Sequence, residues 1–418
     1  MRNVSPSNLT RRRLLVAGAA AAASGLLPAR AASASGSESA WIPPDWLLDD
    51  LPRQMRALGV PGIGIAVVED GALAWSRTIG IADASRGIAV DDASLWEAAS
   101  LSKPVFAHAV LQLVDRGDLV LDAPLVRYAR PAYLGTSPWL AHITVRDVLR
   151  HTTGLPNWRK DPAREPLVPA VPPGTRIDYS GEAFTWLQLA VEAVTGESLD
   201  QSLHRLLFDP AGMRDSSYGW DAAMAARSVF GHRGPDDAAP GLPPQGLRAA
   251  WEAARPVAEQ WGKPLSDWRY ADAARALPQA QANAAAGVVN WPGDILANAA
   301  ASLRCSVQDY ARWMALVVRA SPMPWALRPA TRAAMLTPQI ALPGRYTEKA
   351  LGWNLEATRI GPVLYHSGSN AGVFKTFALG DPARGRALVA MTNAASGNVL
   401  YRRVVRAATG LDLLAFDL

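Results

Sequence analysis

The sequence is poor in cysteine: Cys305 is the only one in 418 residues. No intrachain disulfide can form. Within Leu303-Arg304-Cys305-Ser306-Val307, ahead of a helical pattern, the thiol reads as a small packed residue rather than a nucleophile. The six histidines are scattered and no His-Glu-x-x-His occurs, so no metal site is expected. A Gly-x-Ser-x-Gly elbow is missing, which removes the α/β-hydrolase reading. No glycine-rich phosphate loop is present, and no cofactor is expected. Acid is missing from residues 1–31, which hold Arg2, Arg11, Arg12, Arg13 and Arg30; the other 37 basic residues balance 37 acidic ones. The net charge of +5 therefore sits in the N-terminal stretch, and no basic footprint for nucleic acid is left.

That stretch predicts an export signal over 1–31. Thr10-Arg11-Arg12-Arg13-Leu14-Leu15 is charged. The Ala-rich run from Leu14 to Leu27 is short for a membrane span, which needs about 20 residues. Ala29-Arg30-Ala31 offers a small-x-small cleavage site. The adjacent arginines point to twin-arginine export to the periplasm or medium, with no membrane anchor after processing.

The remainder, 32–418, is long enough for one large two-lobed enzyme. Trp46, Leu47, Leu51, Met55 and Leu58 predict a helix over 45–58. Two apolar runs around Asp70-Gly71 predict a hairpin. A buried helix follows Lys103 and stops at Arg116-Gly117. Thr144 caps a short helix, and a longer one runs over 182–194 to Gly196. Residues 221–300, rich in Ala, Pro and Gly with weak periodicity, read as an elaborated insert. Ser306 and Asp309 predict a variant capping box ahead of a helix to Val318. Short strands separated by turns follow from Leu351, then a terminal helix over 399–408. The order predicts an antiparallel sheet from both chain ends (about 45–98 and 300–418) with flanking helices, and an inserted, mainly helical lobe (about 99–299).

The chemistry is carried by Ser100-Leu101-Ser102-Lys103. A serine hydroxyl needs a base to take its proton. Residues i and i+3 of a helix are neighbours, and a lysine shielded from water beside another cation loses its proton near neutral pH. Two further patches follow in order, Tyr179-Ser180-Gly181 and His366-Ser367-Gly368-Ser369. Together the three resemble the motifs of the serine β-lactamase and penicillin-binding-protein superfamily. The similar branch holds class C β-lactamases, DD-peptidases, D-aminopeptidases and β-lactamase-like carboxylesterases. His151-Thr152-Thr153-Gly154-Leu155-Pro156 also resembles a stretch of that family, although His151 itself reads as a helix-end or packing residue.

The resemblance implies the β-lactamase/transpeptidase-like fold, an α+β arrangement, and an acyl-enzyme mechanism. Ser100 would be the nucleophile, Lys103 its proton acceptor, and Tyr179 a partner base or proton relay, its phenolate favoured beside a lysine cation. His366 would supply positive charge or a hydrogen bond, and Gly368 would let substrate lie close to its strand. The backbone amides of Ser100 and Ser369 would form the oxyanion hole. Relatives often read Tyr-x-Asn, with the Asn amide bonded to the substrate's acylamide; Gly181 cannot make that bond. The expected function is an exported serine hydrolase acting on a small-molecule ester, amide or peptide. A β-lactamase or D-amino-acid peptidase is the alternative within the family, and a non-catalytic ligand-binding scaffold the alternative outside it.

Overall fold

The computed structural model describes residues 40–233, 248–319, 323, 325–340 and 347–417. The chain starts with α1 (Asp45–Leu58), whose Leu47, Leu48, Leu51 and Met55 form the buried stripe. Trp46, expected on that stripe, is 63% exposed, and Leu48 takes its place. The hairpin follows as β1 (Gly62–Glu69) and β2 (Ala72–Asp83). Its turn residues Asp70 and Gly71 both have positive φ, 50° and 71°, as a tight right-twisted hairpin requires.

These strands join others from the far end of the chain. After β3 (Ile88–Ala89) and the short β4 (Trp96–Glu97), β5 (Ser216–Ser217) and β6 (Arg304–Cys305), the chain forms β7 (Thr347–Lys349), β8 (Asn354–Thr358), β9 (Gly361–Asn370), β10 (Phe374–Asp381) and β11 (Arg386–Thr392). The main sheet has the order β3-β2-β1-β11-β10-β9-β8-β7, and every pairing in it is antiparallel. It is thus built from both chain ends, as expected. Ile63 of β1 pairs with Thr392 of β11, which closes the two halves.

Side chains alternate between the sheet's two faces with period two. Phe377, Leu379, Leu388 and Ala390 pack with Tyr401 and Val405 of the Gly397–Thr409 helix. Ala378, Ala387, Val389 and Met391 face the opposite way, into a core shared with α2 (Ser102–Arg116), α4 (Gly181–Thr195) and the Val307–Val318 helix. Every residue of α2 from Ser102 to Leu113 is buried, and so is every residue of α4 from Gly181 to Glu192. The short α3 (Val145–Leu149) between them carries the capping box of Thr144 and Asp147. The sheet and the helical lobe therefore share one core.

The insert has more structure than its composition suggests. Helices Arg248–Trp261 and Tyr270–Asn283 pack through Ala250, Ala253, Ala254, Ala273, Ala276 and Ala280 into a separate apolar cluster. Ser306 caps its helix, but the expected capping box is not reciprocal. The Asp309 carboxylate instead accepts from Asp215 N and Ser216 Oγ, at 2.7 and 3.1 Å. The predicted strand at 351–355 begins only at Asn354. Cys305 is buried, and burial pushes its thiol pKa well up. Among the described residues no helix is long and apolar enough to cross a membrane. The export reading lies outside them.

Candidate active site

Ser100 sits on a short 3-10 turn, Ala99–Leu101, which feeds directly into α2. It therefore stands at a helix N-terminus, and the N-cap of α2 is Leu101. The turn is held from several sides. Thr376 Oγ1 donates to Ala98 O at 2.9 Å, Ser102 Oγ to Ala99 O at 2.5 Å, and Tyr310 Oη to Leu101 O at 3.1 Å. Ala99 has φ +52°, a left-handed conformation that costs an L-residue on the order of 1–3 kcal/mol. The surrounding hydrogen bonds hold this strain just before the serine.

The small sheet β4-β6-β5 brings the segment before Ser100 against the segment after Ala300. Lys103, on the first turn of α2, reaches both. Its Nζ lies 3.3 Å from Ser100 Oγ and 2.9 Å from Ala300 O. It also stands over the Tyr179 ring, 4.6 Å from the centroid. Burial, reinforced by the Lys349 cation, lowers the Lys103 pKa to about 7. Near neutral pH much of this amine carries a free lone pair beside the serine hydroxyl.

Tyr179 precedes α4 and is hydrogen-bonded to Ser100. Burial raises its pKa, so at rest the phenol keeps its proton; of the two expected roles this fits the relay and not the phenolate base. His151 stacks on Tyr179 at 4.4 Å and accepts a hydrogen bond from Ser180 N through Nδ1 at 3.2 Å. It is a packing residue that positions the phenol, held at φ +58°.

His366 is buried on β9 with its ring 6.2 Å from Tyr179. Its Nδ1 donates to Ser367 O at 2.8 Å, which leaves Nε2 as an acceptor without a partner among the described residues. Burial and the nearby Lys349 and Lys103 lower its pKa to about 3. It is neutral, so of the two expected roles, positive charge or a hydrogen bond, only the hydrogen bond is left to it. The cation is Lys349, on edge strand β7, hydrogen-bonded to Asn354 Oδ1 and 5.9 Å from the Tyr179 ring centroid. No motif marks Lys349 in the sequence; only the pairing of β7 with β8 brings it here.

β8 pairs with β9 only as far as Tyr365, and the nucleophile turn packs against β9 beyond that point. This explains Gly368 differently from the expectation. A Cβ there would meet Thr376 Oγ1 at 2.3 Å and Ala98 O at 2.8 Å. The glycine admits the nucleophile's own turn. Ser369 follows, its Oγ accepting from Lys375 Nζ at 2.9 Å.

Gly181 opens α4, and its missing side chain is also accounted for. A Cβ would meet the Trp158 indole at 2.3 Å. Trp158 occupies the space where an asparagine side chain would start. A side-chain amide still reaches this point: Asn157 Oδ1 accepts from Gly181 N at 3.0 Å. Neither Asn157 nor Trp158 was singled out from the sequence, where the departure at Gly181 read only as a missing amide contact. The structure thus brings Ser100, Lys103, Tyr179 and His366 together and adds Lys349, His151, Asn157 and Trp158.

The β-lactamase family model matches residues 48–410. The chain belongs to the β-lactamase family. Two solved structures of similar fold are a class C β-lactamase (TM-score 0.65, 17% identity, 88% of this chain and 95% of that one) and an octameric penicillin-binding protein homologue from Pyrococcus abyssi (TM-score 0.62, 18% identity, 87% and 76%). At that identity they speak for the fold alone. Among curated relatives, the esterase EstB of Burkholderia gladioli is 31% identical over 42% of this chain and 50% of its own. Penicillin-binding protein 4 of Amycolatopsis lactamdurans is 30% identical over 42% and 49%. A D-aminopeptidase of Cereibacter sphaeroides is 29% identical over 46% and 39%. The chain spans about half the length, or less, of these relatives.

Proposed function

We propose that this chain is a serine hydrolase that cleaves an ester or a small amide through an acyl-enzyme. The observation that carries the reading is the Lys103 amine, its pKa lowered to about 7, at 3.3 Å from Ser100 Oγ. In the first step Ser100 Oγ bonds to the substrate carbonyl carbon and its proton passes to Lys103 Nζ. The developing oxyanion is held by the backbone amides of Ser100 and Ser369. The intermediate collapses by breaking the bond to the leaving group, which takes the proton from Lys103 through the Tyr179 hydroxyl. Water then attacks the acyl-enzyme by the reverse relay, releasing the acid and regenerating Ser100. Labelling by a fluorophosphonate, located at Ser100 by peptide mass spectrometry and lost in Ser100→Ala, tests this. A labelled Ser100→Ala chain would refute it.

Trp158 over Gly181 favours esters over β-lactams, because the site has no asparagine at that position. Asn157 supports a second reading, cleavage of a D-aminoacyl amide, since its side-chain amide lies at the mouth of α4. Release of 4-nitroaniline from D-alanine 4-nitroanilide at a rate comparable with ester cleavage would favour it. We also propose twin-arginine export with cleavage near Ala31. N-terminal sequencing of exported protein should start near Ala32, and a start at Met1 would refute it.

A further inference from the structure

A second cavity lies further along α2, away from the catalytic cleft. His108 comes five residues after Lys103, which sets it about 140° around the helix and ~7.5 Å along it. It therefore points to another side of α2. There it meets the Val307–Val318 helix and the helix Pro329–Leu336 around a cavity of about 200 Å³. Leu316, Leu327 and Met335 supply apolar wall, and His108 and Arg332 are the two ionisable side chains on it.

Both of these residues carry buried donors without a partner. His108 is 3% exposed, and Trp313 Nε1 donates to its Nδ1 at 3.3 Å. An indole N–H only donates, so Nδ1 accepts and the proton of the neutral ring is on Nε2. Burial lowers the His108 pKa to about 4, so near pH 7 the ring is neutral. Trp313 does not line the cavity, which leaves the Nε2 edge to face it. That N–H has no partner among the described residues, and neither has the Nε–H of Arg332. One terminal nitrogen of Arg332 donates to Val317 O at 2.8 Å, and no carboxylate pairs with the guanidinium among the described residues. Asp115, the acid whose charge acts on His108, accepts from Arg328 N at 2.7 Å and from Thr331 Oγ1, and it lies off the cavity wall. Buried donors are almost always satisfied, and buried charge is almost always paired. Two unsatisfied N–H groups on one small cavity, one of them cationic, call for an anionic acceptor.

We propose that this cavity binds a short-chain aliphatic monocarboxylate. A carboxylate offers two acceptor oxygens, one for each N–H, and its charge answers the guanidinium. The apolar wall suits an alkyl tail and not a second charged group. The volume lies below the roughly 300–1,000 Å³ of sites for drug-sized ligands, which limits the tail to a few carbons. On its other side Arg332 lines an open recess with Arg319, Arg384 and the single acid Asp70. An anion therefore arrives across a positive surface. The site stands apart from the hydrolase reading and does not depend on it.

The test uses the full chain labelled with [15N]histidine and sodium butyrate as the probe. Six histidines report. The His108 signals are assigned by their loss in His108→Gln or, where that chain does not fold, by their displacement in Trp313→Phe. Butyrate should shift the His108 Nε2 resonance and leave those of His151 and His366, in the catalytic cleft, in place. Butyramide, of the same size but neutral, and inorganic phosphate, charged but without a tail, should each bind at least tenfold more weakly. Arg332→Met should weaken butyrate at least tenfold, in the range hydrogen bonds to charged groups give, and Arg332→Lys should recover part of the loss. Leu327→Trp fills the cavity and spares both polar groups, so it should abolish the shift. An unmoved His108 resonance, a shift confined to His151 and His366, an equal response to butyramide or phosphate, or unchanged affinity in Arg332→Met each overturns the site.

Discussion

The wall that holds Ser100 and the insert of residues 248–283 are both helical, but they are packed on different terms. In α2 and α4, whole runs of a dozen residues are buried on all sides, among Phe106, Phe184 and Trp186. The insert's two helices meet through alanines and keep one buried face each. A side chain closed in on all sides cannot relax when its neighbour changes, because protein interiors are packed as densely as organic crystals. The nucleophile is held by the first kind of packing, which keeps Lys103 close to Ser100 and dry. The insert's helices pack on each other in their own apolar cluster, so they can vary in sequence and leave the proton transfer intact.

Five substitutions test this contrast, and the largest effect is expected at the nucleophile. Ser100→Ala should reduce 4-nitrophenyl acetate hydrolysis to background, a loss on the order of 10⁶ in kcat for a fully active parent. Lys103→Ala should come close to it, because groups that act as a unit do not add. Next comes Gly368→Ala. The added methyl meets the Ala98 backbone carbonyl, which cannot swing away as a side-chain tip can. Displacing the serine turn by about 1 Å should lower kcat by about 10², measurable as a drop in burst amplitude and rate.

A smaller effect is expected from the charge beside the base. The kcat/KM profile of the native chain should fall as pH drops through about 7, because protonated Lys103 cannot accept the serine proton. Lys349→Met removes the second cation, so the Lys103 pKa should rise and the acid limb should move to higher pH. A limb that stays in place would show that burial alone sets it. The smallest effect should come from the insert. Ala276→Gly should cost about 1 kcal/mol of stability in urea unfolding, the helix cost of glycine, with kcat unchanged. A large loss of kcat there would abolish the contrast.

The amphipathic stripe of α1, the Asp70-Gly71 hairpin and the two-ended sheet were legible because each is encoded locally, by period or by turn residues. The order of the three motifs placed Ser100, Lys103, Tyr179 and His366 in one site. The insert's helices escaped notice for physical reasons. Alanine contributes little to an apolar period, and Pro256 and Pro278 interrupt patterns that tertiary packing then restores. Lys349 was invisible because its place depends on strand pairing. Whether His366 is charged could not be read, because a motif gives residue type and not burial. Gly368 was read as room for substrate and Gly181 as a lost amide contact; one houses backbone and the other an indole, a distinction that needs coordinates.

Strand β1 has a consequence for how the molecule comes into being. Its neighbours are β2, a few residues away, and β11, and Gly62 N finds its Asn393 Oδ1 partner 331 positions downstream. A chain emerging from the ribosome can make the β1-β2 hairpin at once but must leave one edge of β1 bare until almost everything else has been synthesised. Exposed strand edges of this kind template aggregation. Pairings this distant also fold slowly. Newborn chains would therefore carry the serine turn long before the strand that backs it, and activity would appear only with the last sheet pairing. Shortening the chain from its C-terminal side should then convert a slow folder into a chaperone client, rather than a weaker enzyme.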